Sequence, residues 1–265
     1  MKNFVTVGAA LMLTTTAAYA GGIDRSGQSI GAIFEDGKYV ELSYGYVMPS
    51  VTGTDPFTTG SDNIAPDYGN VGLAFKTDLD DKVSLALIID QPFGANVSYD
   101  NTAYLIGGSG ANVETTSITA VGRYKFNENV SVFFGPRYLS ASGDYTAAQF
   151  GTVLYTSTYA SGSGTGYVAG AAYERQDIAM RVALTYSSAI DLELDGTGAG
   201  GLGDLTATMP RSVNLEFQSG VAADTLVFGS VRWAEWSQAH ITDAVFGELV
   251  SWDDDVLTYT LGVGR

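Results

Sequence analysis

Three arginines, Arg137, Arg181 and Arg232, stand one residue out of step with the apolar residues beside them, so in an extended chain each guanidinium points to the face opposite those neighbours. Glu41, Glu216 and Gln218 share that face. A guanidinium set there can hold a carboxylate through paired charge-assisted hydrogen bonds. The same polar groups can also satisfy one another in an Arg/Glu network. His240 is the one histidine, so any Ser-His-Asp arrangement must use it, with Ser237, Asp243 and Asp253 its nearest candidates in sequence. No nucleophile elbow accompanies them, and the chain is not expected to be an enzyme. The run Asp253-Asp254-Asp255 lacks the spacing of a calcium loop and reads as a solvated loop face. With no cysteine and no nucleotide motif, neither a metal nor a cofactor is expected.

The elements that must position these groups are strands. Residues 1–20 read as a secretory signal: Lys2, an apolar stretch over 4–13, and the small-residue cleavage site Ala18-Tyr19-Ala20, leaving a mature chain from Gly21. No later apolar run approaches the ~20 residues of a spanning helix. The 33 Gly, 16 Tyr and 12 Phe suit a turn-rich, aromatic-rich all-β chain. Loss of Lys2 leaves one fewer than the 13 basic residues against 29 acidic ones, a charge of −17 that would repel nucleic acid.

Alternation of apolar and polar residues marks ten strands, near 40–46, 71–75, 83–89, 118–124, 130–134, 167–173, 178–186, 213–217, 227–233 and 257–263. The connections at 78–81, 127–129, 175–177 and 220–224 are tight, while those at 49–68, 99–112, 143–165, 189–208 and 238–255 are long. A soluble sandwich has no reason to keep every second connection short, whereas a transmembrane antiparallel barrel has short turns at one end and long loops at the other. Tyr46, Tyr124, Tyr138, Tyr186 and Trp233 near strand ends fit interfacial girdles. The last strand reads as one that has only begun, so the barrel over 39–265 is expected to be C-terminally truncated. An open sheet would leave unpaired edges in lipid.

Several stretches, in order, resemble the FadL-type family of outer-membrane transporters of Gram-negative bacteria. They are Asp62-Asn63-Ile64-Ala65-Pro66 with Phe75, Gln91-Pro92-Phe93-Gly94 in the third strand, and Gly122-Arg123-Tyr124-Lys125-Phe126-Asn127. Leu184-Thr185-Tyr186-Ser187-Ser188, Met209-Pro210 and Trp236-Ser237-Gln238 complete the series. The resemblance implies a monomeric barrel in the outer membrane, in contact with its lipid, that passively imports long-chain fatty acids or other hydrophobic small molecules. The family's barrel has about fourteen strands and an N-terminal hatch, here residues 21–38 with Arg25, Ser26 and Gly27. This hatch is short and lacks the family's Asn-Pro-Ala motif, and the family's basic residue after the fifth strand falls near Ala147.

The implied route runs from capture between two external loops, through the barrel interior, to lateral release at a kinked third strand. Pro92 cannot donate to the ladder and Gly94 tolerates unusual backbone geometry, so Pro92, Phe93 and Gly94 are expected to make that kink. Arg137, Arg181 and Arg232 are the candidate lumen contacts. Tyr145, Phe150, Val153, Leu154, Tyr155 and Tyr159 in one loop, and Leu192, Leu202 and Leu205 in the next, are apolar residues in otherwise small and polar segments; Phe150, Leu154, Tyr155, Leu202 and Leu205 are the candidate capture residues. The competing reading is a general diffusion porin, which predicts a wide charged lumen and a trimer. The apolar loops and the Pro-Gly break argue against it.

Overall fold

A computed structural model describes residues 23–198, 203–244 and 247–265. The signal reading, Gly21, Gly22 and Leu202 lie outside them. Almost every element is a strand. In chain order these are β1 (Tyr39–Val47), β2 (Tyr68–Asp78), β3 (Val83–Asp90), β4 (Gly94–Ser98), β5 (Gly110–Lys125), β6 (Val130–Gln149), β7 (Thr152–Arg175) and β8 (Met180–Ser187). They continue with β9 (Ile190–Leu194), β10 (Gly196–Gly198), β11 (Leu205–Met209), β12 (Ser212–Ala222), β13 (Thr225–Ala234), β14 (His240–Asp243), β15 (Gly247–Ser251) and β16 (Val256–Gly264). No helix among the described residues is long and apolar enough to cross a membrane, which says nothing about strands.

The main sheet is antiparallel and runs β1-β2-β3-β5-β6-β7-β8-β12-β13-β16, with β4 added to β5 and β10 to β7. Its ten principal strands are those marked by the alternation. The two outer strands of that path, β1 and β16, are not joined by a ladder. Along the sheet one face carries Leu73 and Phe75, Leu85 and Leu87, Val132 and Phe134, Leu184, Leu215, and Leu257, Tyr259, Leu261 and Val263, all exposed; Leu42 on β1 reaches 76 %. Residues of this size each gain roughly 1.5–3 kcal/mol on leaving water, so a continuous band of them calls for an apolar surrounding. The opposite face carries the buried polar residues, among them Lys76, Arg123, Arg137, Thr185, Asn214 and Arg232.

At the long-connection end the strands extend beyond what the alternation marks. Residues 143–165 are not a loop: β6 and β7 run 20 and 24 residues and pair up to Gln149↔Thr152. Phe150 and Gly151, at φ 47° and 77°, close the hairpin between them. Two successive positive-φ residues match the right-handed twist of a tight hairpin, and glycine makes the second inexpensive. The connections at 189–208 and 238–255 also hold strands. They build a second sheet in the order β15-β14-β11-β9, packed against the inner face of the β6–β7 extension. Near the short-turn end, Ile178 belongs to a 3₁₀ turn (Gln176–Ile178), and β8 begins only at Met180.

Candidate functional site: a wall break, a polar collar and an apolar chamber

The third strand is broken where Pro92 and Gly94 predict it. β3 pairs with β5 up to Asp90↔Ser117 and β4 resumes at Gly94↔Glu114, so three residues face two and the register slips by one. This is a bulge. Phe93 is held there by Thr115, whose hydroxyl accepts from the Phe93 N–H at 3.0 Å and donates to the Phe93 carbonyl at 2.6 Å. On the other side, β2 pairs with β3 only as far as Leu73↔Ile89, and β4 has no ladder to β2. The Gln91 side-chain carbonyl accepts from the Val71 N–H at 2.9 Å where a backbone ladder would have continued.

The chain at 23–26 occupies this break. Gly94 N–H donates to the Ile23 carbonyl at 2.9 Å, and Arg25 N–H donates to the Pro92 carbonyl at 2.8 Å. The Asn70 amide donates to the Arg25 carbonyl at 3.0 Å from the β2 side. The Arg25 guanidinium lies over the Tyr68 ring, 4.2 Å from its centre, in a cation–π contact. A Cβ added at Gly94 would sit 2.5 Å from that guanidinium. The small residue at 94 is therefore what makes room for the arginine.

Below the break the N-terminal segment crosses the inner face through a collar of polar contacts. Asp24 accepts from Arg232 at 2.6 Å and from the Trp236 indole at 3.2 Å. Burial raises the Asp24 carboxyl above its ordinary 3.8 even though Arg232 opposes the shift. Ser26 donates to Asp90 at 2.8 Å, and Asp90 also accepts from Ser117. Arg137 donates to Gln28 at 2.5 Å and to Thr119 at 2.9 Å. Ser29 donates to Glu216 at 2.5 Å. Gly27 stands free, with nothing within 4 Å of where its Cβ would be.

Beyond the collar a 3₁₀ turn (Gly31–Phe34) pushes Ile30, Ile33 and Phe34 into an apolar cluster with Val121, Phe133 and Val168. Phe34 meets Phe133 edge-on at 5.7 Å, and the guanidinium groups of Arg123 and Arg181 lie over its ring at 4.6 and 4.7 Å. Lys76 donates to the Gly37 carbonyl at 3.2 Å and pairs with Asp78 at 2.5 Å, which fixes the segment where it joins β1. Each of the three arginines thus meets this segment or its partners: Arg137 at Gln28, Arg181 at Phe34, Arg232 at Asp24.

Above the collar lies an apolar chamber of about 170 Å³ between β5, the β6–β7 extension and the second sheet. Leu192, Leu205, Met209, Ile241 and Tyr159 are among its walls. Among the described residues its ionisable lining is one acid and two phenols, Asp144, Tyr145 and Tyr159, with no basic side chain. Phe93 packs in the same cluster as Leu192 and Leu205, edge-on to Trp236 at 5.9 Å. One contiguous apolar cluster therefore reaches from the chamber walls to the break in the sheet.

No protein-family model matches the chain, and no curated protein sequence matches it. Solved structures do. A FadL homologue of Pseudomonas aeruginosa superposes with a TM-score of 0.58 over 88% of this chain and 69% of its own, at 14% identity. The toluene transporter TodX of Pseudomonas putida gives 0.53 over 95% and 73%, at 11% identity. The CymD monoaromatic hydrocarbon channel gives 0.50 over 85% and 68%, at 12% identity. The fold is that of the FadL-type channels.

Within the FadL-type fold the expected capture residues part company. Leu205 lines the chamber, whereas Phe150 and Leu154 do not. Phe150 sits at the hairpin tip, half exposed, with its ring 6.4 Å from Phe57; Leu154 is exposed, and Tyr155 faces Tyr145 at 6.4 Å. Tyr145, Tyr159 and Leu192, apolar residues of the same two connections, line the chamber with Leu205, and Met209 joins them, with Trp236 buried behind. The alternation Ile190-Asp191-Leu192-Glu193-Leu194 carried the signal for β9. Asp24 and Trp236 had none, because their roles arise only when distant segments meet. The grouping around His240 is not assembled: His240 is 3.4 Å from Glu248, Ser237 donates to Asp255 at 2.6 Å, and Asp243 accepts from Tyr159 at 3.0 Å.

Proposed function

We infer that this chain forms an outer-membrane channel for passive uptake of hydrophobic molecules, which enter the upper chamber and leave sideways through the break beside Gly94. The observation that carries the reading is the continuity of apolar packing from the chamber, through Phe93, to a wall break occupied by residues 23–26 of the N-terminal segment, with the Arg25 side chain against Gly94. Straight passage would take an apolar molecule through the collar of Asp24, Arg232, Arg137 and Asp90, at ~0.8 kcal/mol per CH₂ exposed to polar surroundings. A lateral exit delivers it to lipid without that step. On this reading residues 23–38 act as the hatch, Arg25 as its movable side chain, and Arg137 and Arg232 as anchors of the hatch. The solved neighbours described as a toluene transporter and a monoaromatic hydrocarbon channel support a hydrophobic cargo. Long-chain fatty acids remain within the cargo class.

Uptake of labelled toluene and labelled oleate by cells lacking their own channels tests the reading. Gly94→Leu puts a side chain that cannot retract into the break and should lower uptake at least fivefold with surface level unchanged. Arg25→Ala should keep or raise it. Undiminished uptake in Gly94→Leu would sink the lateral route.

A further inference from the structure

A group of apolar side chains at and around the far tip of the β6–β7 hairpin takes no part in the chamber. Phe150 closes the hairpin, Val153 follows it on β7, and Leu154 is the extra residue of a bulge, since Ala147 pairs with Tyr155 and Ala148 with Val153. The Phe57 ring lies 6.4 Å from that of Phe150, and the Phe150 N–H donates to the Leu105 carbonyl at 3.2 Å, which brings Ile106 alongside. None of these apolar residues lines the chamber. Phe57 and Leu154 are 66 and 67 % exposed.

The patch is held in shape from beneath. Asp55 is buried; one of its carboxylate oxygens accepts from the N–H groups of Phe57 and Thr59 at 2.9 and 2.8 Å, and the other from that of Leu105 at 3.1 Å. The Asn101 amide donates to the Gly60 carbonyl at 2.8 Å and ties the same two loops again. Phe57 is thus presented to solvent by a pinned turn, which spares a partner the cost of ordering it. The charge around the patch has one sign. The five long connections contain no lysine and no arginine, and Asp62 and Asp100, in the two tied loops, are exposed.

We propose that this tip is a docking surface for a cationic amphipathic peptide segment, whose apolar face covers Phe57, Phe150, Val153 and Leu154 and whose lysines or arginines meet the acidic loops. An apolar centre with aromatic rings, rimmed by charge of one sign, is the layout of a protein interface whose partner carries the opposite sign. A second copy of this chain brings the same negative field and is repelled, and so is an anionic lipid surface. The proposal stands apart from the uptake reading, because the chamber and the wall break take no part in it.

The probe is a peptide of leucine and lysine patterned to set all its leucines on one face of a helix. Its binding is measured on the full chain in nanodiscs of zwitterionic lipid, with empty nanodiscs as the blank. It should bind saturably, at least tenfold more tightly than the same peptide with glutamate for lysine or with serine for leucine. A tenfold rise in salt should weaken it at least threefold. Phe57→Ser and Leu154→Ser change side chains that are mostly exposed, and each should lower the affinity at least threefold. Phe126→Ser, exposed beside the short turn at the other end of the sheet, should leave it unchanged. Equal binding of the lysine and glutamate peptides overturns the proposal, and that comparison needs no variant to fold. Full affinity in both Phe57→Ser and Leu154→Ser places the peptide elsewhere and overturns it too, as does the absence of saturable binding. Pairing of the barrels with one another, lost in Phe57→Ser, would overturn it in favour of a second copy as the occupant.

Discussion

Arg232 and Asp24 lie 208 positions apart and meet inside the sheet at 2.6 Å, with the Trp236 indole on the same carboxylate oxygen. Both members of the pair are largely buried. Removing one partner of a buried pair leaves the other charge without compensation, at about 3–5 kcal/mol. Arg232→Ala should therefore loosen the N-terminal segment far more than it loosens the sheet. Trypsin offers the readout: cleavage after Arg25 should accelerate at least tenfold while the barrel band on an unheated gel stays in place. An unchanged cleavage rate would mean that the backbone bonds to Pro92 and Gly94 hold the segment by themselves. The arginine was legible in sequence as an inward residue because period two fixes a side chain's face. Its partner was not, since nothing local to Asp24 tells which strand it will meet.

At the scale of elements, one exposed tie joins the end of β13, the 3₁₀ turn Trp236–Gln238 and the start of β16. Asp255 accepts from the Ser237 hydroxyl at 2.6 Å and from the Trp233 indole at 3.1 Å, and the Ser237 bond leads in holding its carboxyl below the usual 3.8. A lowered carboxyl stabilises the folded arrangement fully above the ordinary value and loses that contribution as pH falls through the lowered one. Tryptophan emission should thus show a step below pH 3.8 that disappears in Asp255→Asn; an identical titration in that variant would remove Asp255 from the account. The ten principal strands were readable because one side faces an apolar surrounding and the other a polar interior, which forces alternation. The upper half of β6 and β7 was not, because Ser, Gly and Thr stand on both faces of 156–166 and leave no period to detect. β9 and β11 did alternate, in runs of five residues that read as loop only because long connections were expected there.

For the molecule as a whole, the outward band is the feature that composition alone hides, since mean hydropathy is only +0.09. Leu184, half exposed and paired with Leu215 on β12 and Ala171 on β7, lies within that band. Leu184→Arg should cost about 2–4 kcal/mol in a bilayer, as a cation facing lipid does near mid-depth. Urea unfolding from vesicles would measure it; a loss under 0.5 kcal/mol would mean that this face does not meet acyl chains. The β6–β7 hairpin carries a further consequence. A strand of 24 residues reaches on the order of 60 Å at the usual tilt, against an apolar membrane band of about 25 Å. Rings cluster on the outward face at Phe134, Tyr167 and Tyr186, and the chamber walls at Tyr145 and Tyr159 lie farther along the strands from the short turns. On the channel reading proposed above, the chamber therefore stands on the part of the hairpin that overshoots the apolar slab. On that reading an oily molecule boards like a passenger at a raised platform, outside the slab into which it is later released.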